Sequence, residues 1–323
     1  MKAIFVRSES GEWSYKGRQA CLTYYQTRFI DYLTYLDPYF ENAKRTSEFN
    51  FIMCLLRIDK LIPSKYDAIE TQKEVAHLTE TCNRKYGPYR NIGTHASLYR
   101  YGLIVEGDLY YSTLMNLIRC SKDLPHKLVP FPTLKNGDPF PTLGKIKAIK
   151  QESKGLKYKA PIFRSFYDNE IRNAIFHSNY EVDNEGLHIS GAKERHISHD
   201  ELMIKLNSAF AFADAFMMLL EAHKKSYDWT KIIAGTHFFL GTEAHVIVRD
   251  KEGLAGLVEV KSPSAVDYRL GKFYPGEIEI VESGQYELPE NKLITVQEKI
   301  YKFPKFLQKY AKVYYVKRYG RKE

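Results

Sequence analysis

An α+β protein, mainly α-helical, is what the sequence predicts. A four-helix bundle occupies the middle of the chain, a helical extension precedes it and a β-rich domain follows it. Three observations carry this expectation. Apolar residues recur at steps of three and four along most of the chain as far as Lys225. Glycine and proline cut that pattern into helix-sized pieces. After Tyr227 the composition shifts to short strand-like runs separated by glycines and prolines. The 323 residues accordingly divide into segments 1–94, 95–228 and 229–323, each of ordinary domain size.

Each element has its own signal. Leu22, Tyr25, Phe29, Leu33 and Leu36 share one helix face, and Pro38 should end that helix soon after. Further helices are expected over 47–62, ending near Pro63, and over 66–84, before the breaker Gly87-Pro88. A long helix over 98–120 carries the stripe Leu103, Tyr110, Leu114 and Leu117. Pro125, Pro130, Pro132, Pro139 and Pro141 then exclude a regular helix. Helices resume over 143–153 and 161–178, the second opening on Pro161 and burying Phe163, Tyr167, Ile171, Ala174 and Ile175. Strands over 180–183 and 187–190 flank the turn Asn184-Glu185-Gly186. Ser198 and Glu201 form a capping box for a helix reaching Lys225, with Leu202, Leu206, Phe210, Ala213, Met217 and Leu220 on one face. Strands are expected over 244–248, 257–260, 277–281 and 292–296.

Composition narrows the function classes. Hydrophobic residues make up 44% and charged residues 27%, a balance that favours a folded core over disorder. The net charge of +9 favours a polyanionic partner, although many basic proteins bind no nucleic acid. Cys21, Cys54, Cys82 and Cys120 have neither zinc-knuckle nor redox-pair spacing, and they read as buried thiols of a reducing compartment. The apolar run at the N-terminus is too short for a signal peptide. The run 209–220 is interrupted by Asp214 and is shorter than a membrane span. A cytoplasmic protein with no membrane partner is expected.

The chemistry concentrates in Ile171-Arg172-Asn173-Ala174-Ile175-Phe176-His177. Asn173 and His177 are four residues apart and share a helix face, as does Glu170. Arg172 lies about 140° around the helix from His177, within reach of the same cleft through its long side chain. This Arg-Asn-x3-His pattern resembles the HEPN superfamily, whose hallmark is an Arg, four to six residues, then a His, often with Asn directly after the Arg. The helix, the hairpin after it and the capped helix that comes next strengthen the likeness, which spans residues 95–226.

The resemblance implies a HEPN bundle that works as a homodimer, with two motifs meeting in one groove. It implies a metal-independent endoribonuclease acting in toxin–antitoxin or anti-phage defence, with an antitoxin or other regulatory partner. No cofactor and no metal are expected. Arg172 would hold phosphate as negative charge builds, His177 would move protons, and Asn173 would position them. RNA brings its own nucleophile, the 2′-hydroxyl, so the product would carry a 2′,3′-cyclic phosphate and DNA would survive. An imidazole with the ordinary pKa of about 6.5 serves as base or acid in such a step. One subgroup of toxins carries a Tyr two residues after the His; this chain has Asn179 there, so that feature is not carried over.

Other readings stay open beside this one. His177 also suits a helix C-terminus electrostatically, and Arg172 could pair with Asp168 one turn earlier. Many family members are non-catalytic, so a module binding RNA, a nucleotide or a protein is the first alternative. The stretch 142–164 contains Lys145, Lys147, Lys150, Lys154, Lys157, Lys159 and Arg164 against Glu152 alone. Lys154, Lys157, Lys159 and Arg164 lead into the motif helix as RNA-binding candidates, or else form a solvated face. Between Lys299 and Lys322 there is no acidic residue, and basic residues interleave with Tyr301, Phe303, Phe306, Tyr310 and Tyr314. That pattern suits single-stranded RNA, or an amphipathic element with core aromatics. Asp250, Glu259 and Lys261 are similar to the metal-dependent PD-(D/E)xK nucleases, but the same alternation marks any half-exposed strand, and Pro263 follows at once. His188, His196 and His199 read as surface residues near the groove with no metal pattern.

Overall fold

The computed structural model describes residues 4–7, 13–16, 23–57, 68–87, 91–127, 129–132, 134, 140–156, 163–191, 194–227, 232–234, 244–250 and 253–259. Helices dominate these residues. They are α1 (Tyr24–Thr46), α2 (Glu48–Leu56), α3 (Ala68–Tyr86), α4 (Asn91–Glu106), α5 (Asp108–Cys120), α6 (Thr142–Glu152), α7 (Asn169–His177) and α8 (His199–Lys225). The strands form small antiparallel sheets. β1 (Ile4–Arg7) pairs with β2 (Trp13–Lys16). β3 (Tyr180–Val182), β4 (Gly186–Ile189) and β5 (Arg195–Ser198) form a second sheet in that order. β6 (Ile232–Ala234), β7 (Ala244–Asp250) and β8 (Gly253–Glu259) form the third.

The chain forms two compact units that do not coincide with the three consecutive segments expected. One unit takes the described residues of Met1–Tyr39, Asp59–Ile118 and Leu128–Leu219; the other takes those of Phe40–Ile58, Arg119–Lys127 and Leu220–Glu323. Helices α1, α5 and α8 run through the boundaries, so composition along the chain does not mark them.

The core of the first unit is aromatic. Phe212 of α8 sits 5.5 Å from Tyr32 of α1, 5.6 Å from Tyr110 of α5, and 5.5 Å and 5.0 Å from Phe163 and Phe166 of the segment before α7. These rings are buried, and most meet edge-on or tilted, the arrangement their quadrupoles favour. α8 is buried on nearly all sides from Ser208 to Phe216, which explains its apolar composition. By length and composition alone it could cross a membrane, yet 61% of its apolar window is buried inside the fold. Asp214, the charge that interrupts this run, accepts from Arg100 of α4 at 2.5 Å and from Tyr25 of α1 at 2.7 Å. Asp214 is partly buried, and these charge-assisted bonds clamp α1, α4 and α8 together.

Several expected elements differ in detail. α1 continues through Pro38 to Thr46. Losing one backbone bond and accommodating the ring costs about 3 kcal/mol, which is offset by burying Leu36, Tyr39, Phe40 and Ala43 around the proline. The helix over 98–120 is two helices broken at Gly107, a poor helix former followed by Asp108 in the first turn of α5. The helix opening on Pro161 does not form as one piece. A 3-10 turn at Phe163–Ser165 precedes α7, which starts only at Asn169 because Asp168 caps it. β1, β2, β5 and β6 lacked an alternating pattern long enough to predict them. β7 covers the expected run 244–248 and extends to Asp250, whereas β8 begins at Gly253, four residues before the expected run 257–260; the runs at 277–281 and 292–296 lie outside the described residues.

In the second unit, Phe40 stacks on His223 at 5.2 Å and meets the edge of Phe51 at 6.5 Å. The Cys120 thiol donates to the carbonyls of Ala43 and Ser47 at 3.3 Å. Burial pushes that thiol up to about 12 and raises Cys54 well above the ordinary thiol range. Both are inert buried thiols; Cys82 is half-buried, and Cys21 lies outside the described residues.

His126 makes this unit sensitive to acid. Burial, with Arg119 adding repulsion, holds its imidazole down at about 4. In the unfolded chain an imidazole titrates near 6.5, so the unfolded state takes up the proton first. Stability present above about pH 6.5 should therefore decline as the pH falls towards 4. Urea unfolding at pH 7 and pH 5 should show a lower midpoint at pH 5. His126→Gln should narrow that difference, and an unchanged difference would remove His126 as its source.

Candidate functional site

The motif helix is held at its N-terminus by one carboxylate. Asp168 Oδ1 accepts from the backbone N–H of Glu170 at 3.0 Å and of Ile171 at 3.2 Å, a side-chain N-cap. The same carboxylate takes both arms of the Arg195 guanidinium, at 3.2 Å and 3.1 Å. Arg195 also reaches Glu170 at 2.6 Å, so Glu170 is occupied by an ion pair. The Glu170 and Asp168 carboxylates hold Arg195 well above the ordinary guanidinium range. Beneath them the buried Tyr101 hydroxyl donates to the Phe166 carbonyl at 2.7 Å and accepts from the Asp168 N–H at 3.0 Å.

Close packing places the rest of α7 on α4. A Cβ at Gly102 would lie 3.3 Å from Ile175 and 3.6 Å from Phe176, so the small residue admits the two helices to each other. α7 ends directly after His177. Ser178 adopts a left-handed conformation (φ 54°), and the Asn179 N–H closes the end on the Ala174 carbonyl at 3.2 Å. The Asn179 side chain then donates to the Ser190 carbonyl at 2.8 Å, tying the start of β3 to the end of β4.

Arg172 does not pair with Asp168. Its Nε donates to Glu106 Oε1 at 2.5 Å, and its Nη1 donates to Asn173 Oδ1 at 2.7 Å. The hydrogen bond that Arg172 donates to Glu106 raises the guanidinium above its ordinary value. The guanidinium carbon stands 5.3 Å from the centre of the Phe176 ring. Among the described residues, Nη2 has no hydrogen-bond partner, and the side chain is 31% exposed. The His177 ring is exposed and likewise makes no hydrogen bond among the described residues. Asn173 is bonded to Arg172 and lies one turn before His177 on the same helix.

The basic run splits. Lys145 is buried and bonded to Asp108 at 2.5 Å, so it is a structural ion pair and not a surface cation. Lys147, Lys150 and Lys154 are exposed at i, i+3 and i+7 along α6 and its end, and Arg164 is exposed too. Thr142, the first residue of α6, donates to Glu106 at 3.0 Å, so this helix begins at the partner of Arg172. Lys157, Lys159 and the basic C-terminal stretch lie outside the described residues.

In the β7–β8 hairpin Asp250 faces Gly253, whereas Glu259 faces His245 at the far end. Six residues of strand separate those levels by roughly 20 Å, too far for ligands of one ion. Lys261 lies outside the described residues. The histidines of the first hairpin depart from expectation. Side-chain atoms of Glu185, His188 and His196 lie within 4.8 Å of one another, a grouping that could hold a metal ion.

Glu106, Arg195 and Tyr101 are the residues that sequence reasoning missed. Asp168 just before Asn169-Glu170 was a readable cap signal; nothing local marked Glu106 or Tyr101, whose partners are more than sixty positions away. No family model, curated protein or solved structure matches this chain.

Asp168→Ala should cost about 1–2 kcal/mol for the lost cap alone, with more for the stranded guanidinium. Urea unfolding of the full chain should show a lower midpoint at unchanged slope, and an unchanged midpoint would rule out the cap as a support of α7.

Proposed function

We propose that the chain is a HEPN-type, metal-independent endoribonuclease, with α4–α5, α6, α7 and α8 as its bundle. The observation that carries this reading is the exposed end of α7. There Arg172 is bonded to Asn173 and partly exposed, and His177 follows Asn173 by one helical turn and is exposed. In the proposed step His177 accepts the 2′-hydroxyl proton of RNA, and the oxygen attacks the adjacent phosphorus. Arg172 Nη2 holds a non-bridging oxygen as charge builds, and the 5′-oxygen leaves with a proton from an imidazolium or from water. The products are a 2′,3′-cyclic phosphate and a 5′-hydroxyl.

Two further features support the reading. Lys147, Lys150, Lys154 and Arg164 offer exposed cations for a phosphate backbone, on a helix that begins beside Glu106. Ile92 and Tyr99, seven residues apart on α4, and Phe176 of the motif are 52%, 54% and 49% exposed. Such an apolar strip suits contact with a second copy, bringing two motifs into one groove. A role in toxin–antitoxin or anti-phage defence, with a regulatory partner, extends the same proposal.

One observation favours a second reading, a binding module without catalysis. Glu106 already neutralises Arg172, which weakens its pull on phosphate. RNA cleavage in EDTA by the full chain decides between them. Under the nuclease reading the protein cuts RNA, spares DNA and leaves cyclic phosphate ends. His177→Ala should then lose at least about a hundredfold in rate while keeping its fold and oligomeric state. Binding without cleavage of several RNAs would establish the second reading, and equal cleavage by both proteins would overturn the role of His177.

A further inference from the structure

The sheet β3–β5 has two unlike faces. Val182, Leu187, Ile189 and Ile197 point inward and are buried. On the outer face, strand register places Glu181 opposite His188 and His188 opposite His196. That row consists of metal-ligand side chains from three strands. Asp183 and Glu185 add carboxylates from the turn between β3 and β4.

We propose that this face is a binding site for a late first-row divalent ion, Zn2+ foremost, with Glu185, His188 and His196 as its protein ligands. Their donor atoms already lie within 4.8 Å of one another. Two ligands at about 2.0–2.2 Å from one ion are at most about 4.4 Å apart, so small side-chain rotations close the set. Two imidazoles and a carboxylate are the donors such ions select.

The surroundings are built to hold those donors. The His188 and His196 rings stand 4.5 Å apart across the strands. The turn that presents Glu185 is pinned on both sides, since its N–H donates to Asp183 at 2.7 Å and its carbonyl accepts from His199 at 3.3 Å. His188 Nε2 is sealed from solvent and 2.9 Å from Asp183 Oδ2, but off the line of a hydrogen bond. Asp183, whose Oδ1 accepts from the Glu185 N–H, thus sets a further carboxylate beside the His188 ring, the kind of group that orients a ligating imidazole.

The ion would tie β5 to the β3–β4 turn. Arg195 and His196 are neighbours on β5, and Arg195 grips the Asp168 cap of α7. The site thus stiffens the strand that anchors the motif helix, and the proposal does not depend on whether that helix cleaves RNA.

The test uses the untagged full chain, stripped with EDTA and dialysed. Zn2+ is titrated by calorimetry and Co2+ by its visible absorption, beside His196→Ala and Glu185→Gln. Both substituted residues are exposed, and circular dichroism checks that each variant stays folded. One equivalent of Zn2+ should bind, with a dissociation constant on the order of micromolar or tighter, and bound Co2+ should show ligand-field absorption. Each variant should bind at least about tenfold more weakly, and lowering the pH below about 6 should release the ion as the imidazoles protonate. Absence of saturable binding in the wild type, or equal binding by the folded variants, would overturn the site.

Discussion

The Asp168 carboxylate is the constraint on which the candidate site depends. It satisfies two backbone donors at the start of α7 and takes both arms of Arg195 from β5. Its own N–H rests on the buried Tyr101 hydroxyl. The helix start, the hairpin and the face of α4 are thereby fixed to one another at a single point. An anion is the right group there, because the N-terminus of a helix carries partial positive charge and a guanidinium needs a planar partner. Everything further along α7, from Arg172 to His177, inherits its position from that start.

Charge is distributed unevenly around the motif. Arg172 is shared between Glu106 and Asn173, while His177 is left exposed at the helix end. The arginine is therefore held in position and the histidine is the exposed group. That suits a site in which one residue binds an anion and the other exchanges a proton. Glu106 also receives Thr142 from the start of α6, so the cationic stripe of that helix and the arginine share one anchor.

The hairpin after α7 serves more than one purpose. Its inner face closes the core through Leu187, Ile189 and Ile197, and Arg195 reaches back to the helix cap. Its outer face carries the row Glu181, His188 and His196, which the packing of the core does not use. Polar groups aligned across three strands without a role in the core are free to serve a ligand.

Much of this was legible in the chain itself. Apolar spacing marked the first half of α1, the α4–α5 region and the long α8, because one buried helix face imposes its period on the sequence. Ser198 marked the start of α8, and its hydroxyl does accept from the Glu201 N–H, at 3.3 Å. The motif residues were also legible, since Asn173 and His177 four apart must share a face of any helix. Tertiary structure decided the rest. Only packing could carry α1 through Pro38, because the burial that offsets the proline comes from residues distant in sequence. Only packing could give Arg172 to Glu106 and not to Asp168, because Asp168 was already committed to Arg195 and to the cap. The candidate metal-ligand group depended likewise on strand register, which sets His188 opposite His196 on separate strands with Glu185 in the adjoining turn. Local spacing sets a helix face, but the partners of a charge are chosen by distant residues that the fold brings within reach.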